Sequence, residues 1–185
     1  MTDKKATPWN LPNMLSLSRV FLVPVILVFL TLRTQFGYIW GLSIGDLIAG
    51  IVFIIASVTD AADGYIARKK HLITNMGKFI DPLADKILVI AVLTTLVELQ
   101  RFPAWMVVVI ISREFIVSGL RMVAASEGVV IAASKGGKLK TVTQIIGIIM
   151  LIFGIPYAMP VMWVAVLLTV WSGIDYLVKS SDLLA

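Results

Sequence analysis

The chain has 185 residues, of which 59% are hydrophobic and only 15% are charged, and it contains no cysteine. A soluble domain of this length needs a more polar surface, so we expect a membrane protein without disulfides or thiolate chemistry. The net charge of +5 would favour nucleic-acid binding in a soluble protein. Lys and Arg are also enriched on the cytoplasmic loops of membrane proteins, and we therefore expect no nucleic-acid partner.

Apolar windows of about 20 residues predict six transmembrane helices within a single domain, residues 1–185. The fold class that follows is an all-α, polytopic membrane protein. The predicted spans are 12–33, 44–67, 82–100, 104–126, 139–156 and 159–179. Short breaks separate them, and Gly or Pro occurs in each break, so one compact helical domain is expected.

The basic residues predict the orientation of these spans. One side of the predicted bundle receives only Arg33 and Arg101. Because cytoplasmic loops carry the excess of Lys and Arg, both termini and the second and fourth loops are predicted to be cytoplasmic. The residues on that side are Lys4, Lys5, Arg68, Lys69, Lys70, Lys78, Lys135, Lys138, Lys140 and Lys179.

In the first span, Asn13, Ser16 and Arg19 share one helix face. Two interpretations of Arg19 stay open at this point. It binds a nucleotide or lipid phosphate, or its long side chain extends to the lipid headgroups.

Four aspartates lie at the predicted cytoplasmic ends of the second and third spans: Asp60, Asp63, Asp81 and Asp85. At about 100° per residue, the members of each pair project from one side of their helix. Two adjacent helices would thus offer two facing pairs of carboxylates, whose repulsion divalent cations relieve. Oxygen ligands without His or Cys favour Mg²⁺ or Mn²⁺ over Zn²⁺ and do not choose between the first two.

Small residues and an arginine accompany the acids. Gly64 and Ala67 share the stripe of the first pair, Arg68 ends it with a bidentate phosphate donor, and Gly77 and Ala84 lie beside the second pair. Close helix packing is the alternative explanation of each small residue. Taken together, the residues predict a two-metal clamp on a phosphoanhydride.

Pro82 affects this prediction locally. Proline disfavours helical geometry at the preceding residue, so Asp81 is expected either within a helix or as its N-cap.

The spacing of these residues resembles the signature of the CDP-alcohol phosphatidyltransferase family. Residues 60–85, DAADGYIARKKHLITNMGKFIDPLAD, match D-x2-D-G-x2-A-R-x8-G-x3-D-x3-D at every defined position. Three weaker likenesses, LPNMLSLSR, SREFIVSGLR and ASKGGKLKT, resemble the phosphatidylglycerophosphate synthase branch of that family. With the layout of the spans, the resemblance covers most of the chain.

The resemblance implies that a CDP-diacylglycerol gives its phosphatidyl group to an alcohol and releases CMP. It implies that Asp60, Asp63 and Asp81 hold two divalent cations and that Asp85 shares this site and acts as general base. It also implies a homodimer in the cytoplasmic (inner) membrane of a bacterium. The residues expected to bind CDP-diacylglycerol are Asn13, Arg19, Asp60, Asp63, Gly64, Ala67, Arg68, Thr74, Gly77 and Asp81.

The likeness to the phosphatidylglycerophosphate synthase branch implies that the acceptor is sn-glycerol 3-phosphate, whose phosphate needs cations. Arg113 and Arg121 lie eight residues apart in the fourth span, about 80° from each other. Arg113 lies midway in that span and needs a cavity or a partner, and a structural ion pair is the alternative. Glu114 is expected to serve as that partner only from another helix, because adjacent residues diverge.

Lys135, Lys138 and Lys140 line the loop that follows. Any of the three could bind the acceptor phosphate, and the positive-inside rule is the alternative for each. Lys135 and Lys138 are the two that we predict as ligands.

Two other functions are considered. A sister enzyme would use serine, inositol phosphate or phosphatidylglycerol as acceptor, and serine fits less well because it has no phosphate for the arginines. An ion or proton transporter would place its acids near the membrane midplane, whereas these acids cluster at one face.

Overall fold

The computed structural model describes residues 11–70, 75–128 and 135–180, and within them the side chains of residues 14–60, 83–128 and 136–180. Helices dominate this part of the chain, which confirms the helical fold class. They are α1 (Leu11–Thr31), α2 (Ile44–Lys70), α3 (Asn75–Glu98), α4 (Ala104–Ser126), α5 (Lys135–Ile152) and α6 (Ala158–Lys179). The largest departures from the predicted bounds are the early start of α3 and the shift of α5, whose start and end both come earlier than predicted.

The early start of α3 overturns the alternative in which Asp81 caps a helix. Asp81 and Pro82 both lie inside α3, and Pro24 lies inside α1 in the same way. A proline removes one backbone hydrogen bond, a loss that membrane-spanning helices tolerate. Asp81 and Asp85 therefore belong to one continuous helix.

The chain divides into two compact units, residues 1–95 and 96–185. In the first unit α1 packs against α2. Each helix buries apolar side chains at the three-to-four-residue spacing of a single helix face. These side chains are Val23, Ile26, Leu30, Ala49, Phe53 and Ala56. The single domain of residues 1–185 stays a prediction.

A β-hairpin connects α1 to α2, where the sequence predicts only a loop. After a 3-10 helix (Arg33–Phe36), strands β1 (Tyr38–Ile39) and β2 (Leu42–Ser43) pair antiparallel. The two turn residues, Trp40 and Gly41, have φ of 51° and 81°. Positive φ at both central positions is typical of a type I′ turn, for which Asn-Gly or Asp-Gly is the usual sequence signal. Trp-Gly lacks that signal, so the sequence did not predict the hairpin.

In the second unit α4 and α5 both pack against α6. Two glycines of α5 lie where α6 approaches closely. A Cβ on Gly136 would lie 2.7 Å from the Trp171 ring, and one on Gly147 would lie 3.0 Å from Met162 Cγ. Small residues at such positions allow helix axes to come together. Arg101 donates to the Ile152 carbonyl at 2.8 Å and so satisfies the end of α5.

Among the described residues, two helices are long and apolar enough to cross a membrane. They are α1 from Met14 to Thr31 and α6 from Ala158 to Lys179. Both coincide with predicted spans, and the other four spans stay predictions.

Candidate active site

The acidic motif lies on two helices. Asp60 and Asp63 belong to the C-terminal part of α2, and Asp81 and Asp85 belong to the N-terminal part of α3. Helical backbone at both pairs confirms that the members of each pair lie about one turn apart on a shared face. Both pairs lie toward the ends of their helices that residues 71–74 connect.

Arg19 of α1 pairs with Asp60 of α2. Its Nη1 donates to Asp60 Oδ1, and its Nη2 donates to Ser16 Oγ at 3.0 Å. The Arg19 side chain is fully buried, whereas 40% of the Asp60 side chain is exposed. A buried guanidinium needs a charged partner, so the carboxylate of Asp60 explains why Arg19 points inward. The alternative in which Arg19 extends to the headgroups is therefore wrong, and its contact with a nucleotide or lipid phosphate stays a prediction.

Asp60 keeps the capacity to bind a cation while it is paired. A carboxylate offers about four lone-pair sites on its two oxygens, and the Arg19 contact uses one oxygen. Asp85 is half-buried. Carboxylate oxygens alone are the donors that suit Mg²⁺ or Mn²⁺, so the donor chemistry fits those ions. Within the described side chains, no group of three or more Asp, Glu, His or Cys residues gathers.

Several predicted site residues lie outside the part of the chain whose side chains are described. They are Asn13, Asp63, Gly64, Ala67, Arg68, Thr74, Gly77, Asp81 and Lys135. Their predicted roles stay predictions.

A second polar group, here called the cation cluster, lies in the other unit. It consists of Arg113 and Arg121 of α4, Lys140 of α5, and Glu114. Lys140 Nζ donates to Glu114 Oε1, and Arg113 Nη1 lies 3.4 Å from the same oxygen. Lys140 is buried, with 4% of its surface exposed. Arg113 and Lys140 contact the Glu114 carboxylate, and Arg121 joins the group through Tyr176. Three cations and one carboxylate give these four side chains a formal charge of +2, which complements a phosphate monoester near neutral pH.

Helix α6 supplies the remaining contacts of the two arginines. Arg113 Nη2 donates to Ser172 Oγ at 3.0 Å, and Arg121 Nη2 donates to the Tyr176 hydroxyl. The guanidinium carbons of Arg113 and Arg121 lie 5.8 and 5.2 Å from the centroid of the Tyr176 ring. One buried tyrosine thus brings together the two arginines that are predicted to bind the acceptor phosphate.

Two expectations about this region need correction. Glu114 does approach Arg113 on the same helix, because its flexible side chain places Oε1 in contact with both Arg113 and Lys140 of α5. The lysines lie in helix α5 instead of a loop, with Lys138 exposed and Lys140 buried. Of the two α5 lysines whose side chains are described, Lys140 is linked to Arg113 through Glu114, although Lys138 is the one predicted as a ligand.

Comparison with known proteins identifies the family. The family model of the CDP-alcohol phosphatidyltransferases matches residues 9–171, which include both helices of the acidic motif. The chain belongs to the CDP-alcohol phosphatidyltransferase family. The resemblance seen in the acidic signature is thereby confirmed.

Relatives of this CDP-alcohol phosphatidyltransferase share most of its length. It is 46% identical to the CDP-diacylglycerol–glycerol-3-phosphate 3-phosphatidyltransferase of Bacillus subtilis, over 95% of this chain and 97% of that protein. It is 36% identical to the protein of the same name from Rickettsia typhi, over 90% and 94%. It is 40% identical to a probable phosphatidylglycerophosphate synthase of Mycobacterium tuberculosis, over 92% and 81%.

Proposed function

We propose that this protein transfers the phosphatidyl group of CDP-diacylglycerol to the 1-hydroxyl of sn-glycerol 3-phosphate, giving phosphatidylglycerol phosphate and CMP. The observation that carries the choice of acceptor is the cation cluster, whose charge of +2 suits the phosphate of this alcohol. The names of the relatives from Bacillus subtilis and Rickettsia typhi support the same acceptor.

The donor binds at the acidic motif in this proposal. Asp60, Asp63, Asp81 and Asp85 hold two divalent cations, Mg²⁺ or Mn²⁺, which neutralise the donor diphosphate when they are bound. Arg19 orients Asp60 through their ion pair. The rest of the donor pocket consists of Asn13, Gly64, Ala67, Arg68, Thr74 and Gly77.

Asp85 accepts the proton of the acceptor hydroxyl. The hydroxyl oxygen bonds to the phosphorus that carries the diacylglycerol group, and the bond from that phosphorus to the CMP oxygen breaks. CMP leaves with the electron pair of that bond. A positioned general base contributes about 10²- to 10⁴-fold to such a step.

The acceptor phosphate binds to Arg113 and Arg121, with Lys140 as a further cation and Lys135 and Lys138 at the start of α5. Serine has no phosphate that could use these cations. Phosphatidylglycerol has a phosphodiester of single charge, which matches the cluster less well than a monoester does. Inositol phosphate shares the monoester and is the alternative acceptor that the assay must separate.

The enzyme is proposed to cross the cytoplasmic membrane of a bacterium six times with both termini in the cytoplasm, and to act as a homodimer. The apolar character of α1 and α6 supports membrane insertion. The excess of Lys and Arg on one side supports the orientation.

An acceptor assay tests the proposal directly. Purified protein with Mg²⁺ and CDP-diacylglycerol should release CMP with glycerol 3-phosphate, and not with serine, inositol phosphate or phosphatidylglycerol. Excess EDTA should stop the release, and added Mg²⁺ or Mn²⁺ should restore it. CMP release with only another alcohol would refute the proposed acceptor.

Asp85→Asn tests the proposed base. We expect kcat to fall by about 10²- to 10⁴-fold, because an amide does not accept the hydroxyl proton. Asp175→Asn is the matched control, since Asp175 pairs with Lys179 within α6 and should leave kcat near the wild-type value. Full activity of Asp85→Asn would remove Asp85 from the mechanism.

A further inference from the structure

Three residues of α6 contact the arginines of the cation cluster without adding any charge. Ser172, Gly173 and Tyr176 are all buried and lie on one inward face of α6. They lie just past residue 171, where the match to the family model ends. We call these three residues the α6 platform.

Ser172 presents its hydroxyl oxygen to Arg113. The Ser172 hydroxyl donates to the carbonyl oxygen of Thr169 at 3.2 Å, which leaves its oxygen lone pairs for Arg113 Nη2 at 3.0 Å. The serine therefore holds the far end of the Arg113 side chain.

Gly173 makes room for the nearer part of the same side chain. A Cβ at this position would lie 3.0 Å from Arg113 Cγ, closer than ordinary van der Waals contact. A side chain at position 173 would press on Arg113, which must shift by a few tenths of an ångström to accommodate it. The glycine thus gives Arg113 room to approach α6, because the backbone here is helical and needs no special φ.

Tyr176 holds both arginines around one ring. The two guanidinium carbons lie within 6 Å of the ring centroid, the range in which a cation is attracted to an aromatic ring. The hydroxyl additionally accepts a hydrogen bond from Arg121. The ring thus offsets part of the repulsion between the two guanidinium groups and leaves their positive charge in place. A carboxylate in the same position would neutralise that charge.

We infer that the α6 platform positions Arg113 and Arg121 to receive the acceptor phosphate and so sets the affinity for a phosphate-bearing acceptor. This inference rests on the proposed function. Ordering two long arginine side chains costs conformational entropy. The platform orders them when the protein folds, so that less ordering is needed when the acceptor binds. Tyr176 is then a positioning residue whose effect passes through the arginines.

Tyr176→Phe tests the inference because it removes the hydroxyl and keeps the ring. We expect KM for glycerol 3-phosphate to rise about tenfold, the loss associated with one hydrogen bond to a charged group. kcat and KM for CDP-diacylglycerol should stay within about twofold, because the donor and the proton transfer do not involve this hydroxyl. Inorganic phosphate should also inhibit the variant less well than the wild type. An unchanged KM for glycerol 3-phosphate would overturn the inference.

Tyr157→Phe is the matched control. Tyr157 lies at the other end of α6, is exposed, and loses the same hydroxyl, so its kinetic constants should equal those of the wild type. Melting temperatures of both variants show whether either is misfolded. A rise in both KM values together with a lower melting temperature for Tyr176→Phe would indicate a structural role only.

A double-mutant cycle separates positioning from direct contact with the acceptor. If Tyr176 acts through Arg121, the hydroxyl has no effect once the arginine is gone, and Arg121→Gln/Tyr176→Phe should match Arg121→Gln alone. Additive losses would contradict the inference. Failure of the proposed function gives a different result, since the wild type itself would then release no CMP with glycerol 3-phosphate.

Discussion

Arg19 and Asp60 are unequal partners, because the arginine is fully buried and 40% of the aspartate side chain is exposed. Asp60→Ala removes a charged partner from a cation in the protein interior, whereas Arg19→Met leaves a carboxylate that water reaches. Loss of one partner of a fully buried ion pair costs about 3–5 kcal/mol, and the partial exposure of Asp60 makes the cost smaller here. We therefore expect Asp60→Ala to lower the melting temperature more than Arg19→Met does, measured in detergent with EDTA present.

The double variant Arg19→Met/Asp60→Ala separates stability from chemistry. Its melting temperature should recover toward the wild-type value, because replacing both members of a buried pair by apolar groups is often neutral. CMP release should stay absent, since the proposed metal ligand is missing. A double variant less stable than Asp60→Ala alone would contradict this account of the pair.

This pair also shows where prediction from the sequence ends at the scale of single residues. Helical periodicity correctly places Asp60 and Asp63 on one face of α2 and Asp81 and Asp85 on one face of α3. Arg19 and Asp60 are 41 residues apart, and their contact depends on how α1 packs against α2. Hydrophobic periodicity predicts which face of a helix a residue occupies, but it does not predict which neighbouring helix packs on that face.

Among the helices, the start of α5 decides which lysine faces inward. From Lys140, a helical stripe continues through Gln144, Gly147, Ile148 and Leu151, all of them buried. Lys138 lies two residues earlier, about 200° around the helix, and is exposed. The predicted helix, 139–156, excludes Lys138 and begins one residue before Lys140, so helical periodicity could not be used to compare the two lysines. A helix begun at residue 135 would have singled out Lys140.

Gly45, in the first turn of α2, shows how closely two elements of the first unit approach. A Cβ at this position would lie 2.6 Å from Arg33 Cα and nearer still to the Phe29 carbonyl oxygen. Both atoms belong to the backbone, which cannot yield as a flexible side chain does. We expect Gly45→Ala to destabilise the protein by about 1–3 kcal/mol, the usual cost of overpacking, seen as a lower melting temperature.

Gly119→Ala is the control for this prediction. Gly119 lies inside α4, and a Cβ there would meet no atom within 4 Å. Alanine favours a helix over glycine by about 1 kcal/mol, so this variant should be as stable as the wild type or more stable. Equal destabilisation by both substitutions would mean that close approach at Gly45 is not the cause.

For the whole molecule, the two arginines on the predicted outer side have structural partners. Arg33 Nη1 lies 3.5 Å from Asp46 Oδ2, and Arg101 donates to the end of α5. These contacts account for the position of both arginines on that side, independently of the orientation of the protein in the membrane. The remaining asymmetry of Lys and Arg still predicts cytoplasmic termini, and it predicts that α4 runs from the outer side to the cytoplasm.

Single cysteines test that orientation, since the chain contains none of its own. Gln100 and Glu127 are exposed and flank α4, whose 23 residues span about 35 Å. A membrane-impermeant maleimide should label Gln100→Cys in spheroplasts, and should label Glu127→Cys only after the membrane is permeabilised. The reverse pattern would invert the orientation. Labelling of both sites in intact spheroplasts would mean that α4 does not cross the membrane, because 35 Å of helix between two outer residues would have to lie on one side.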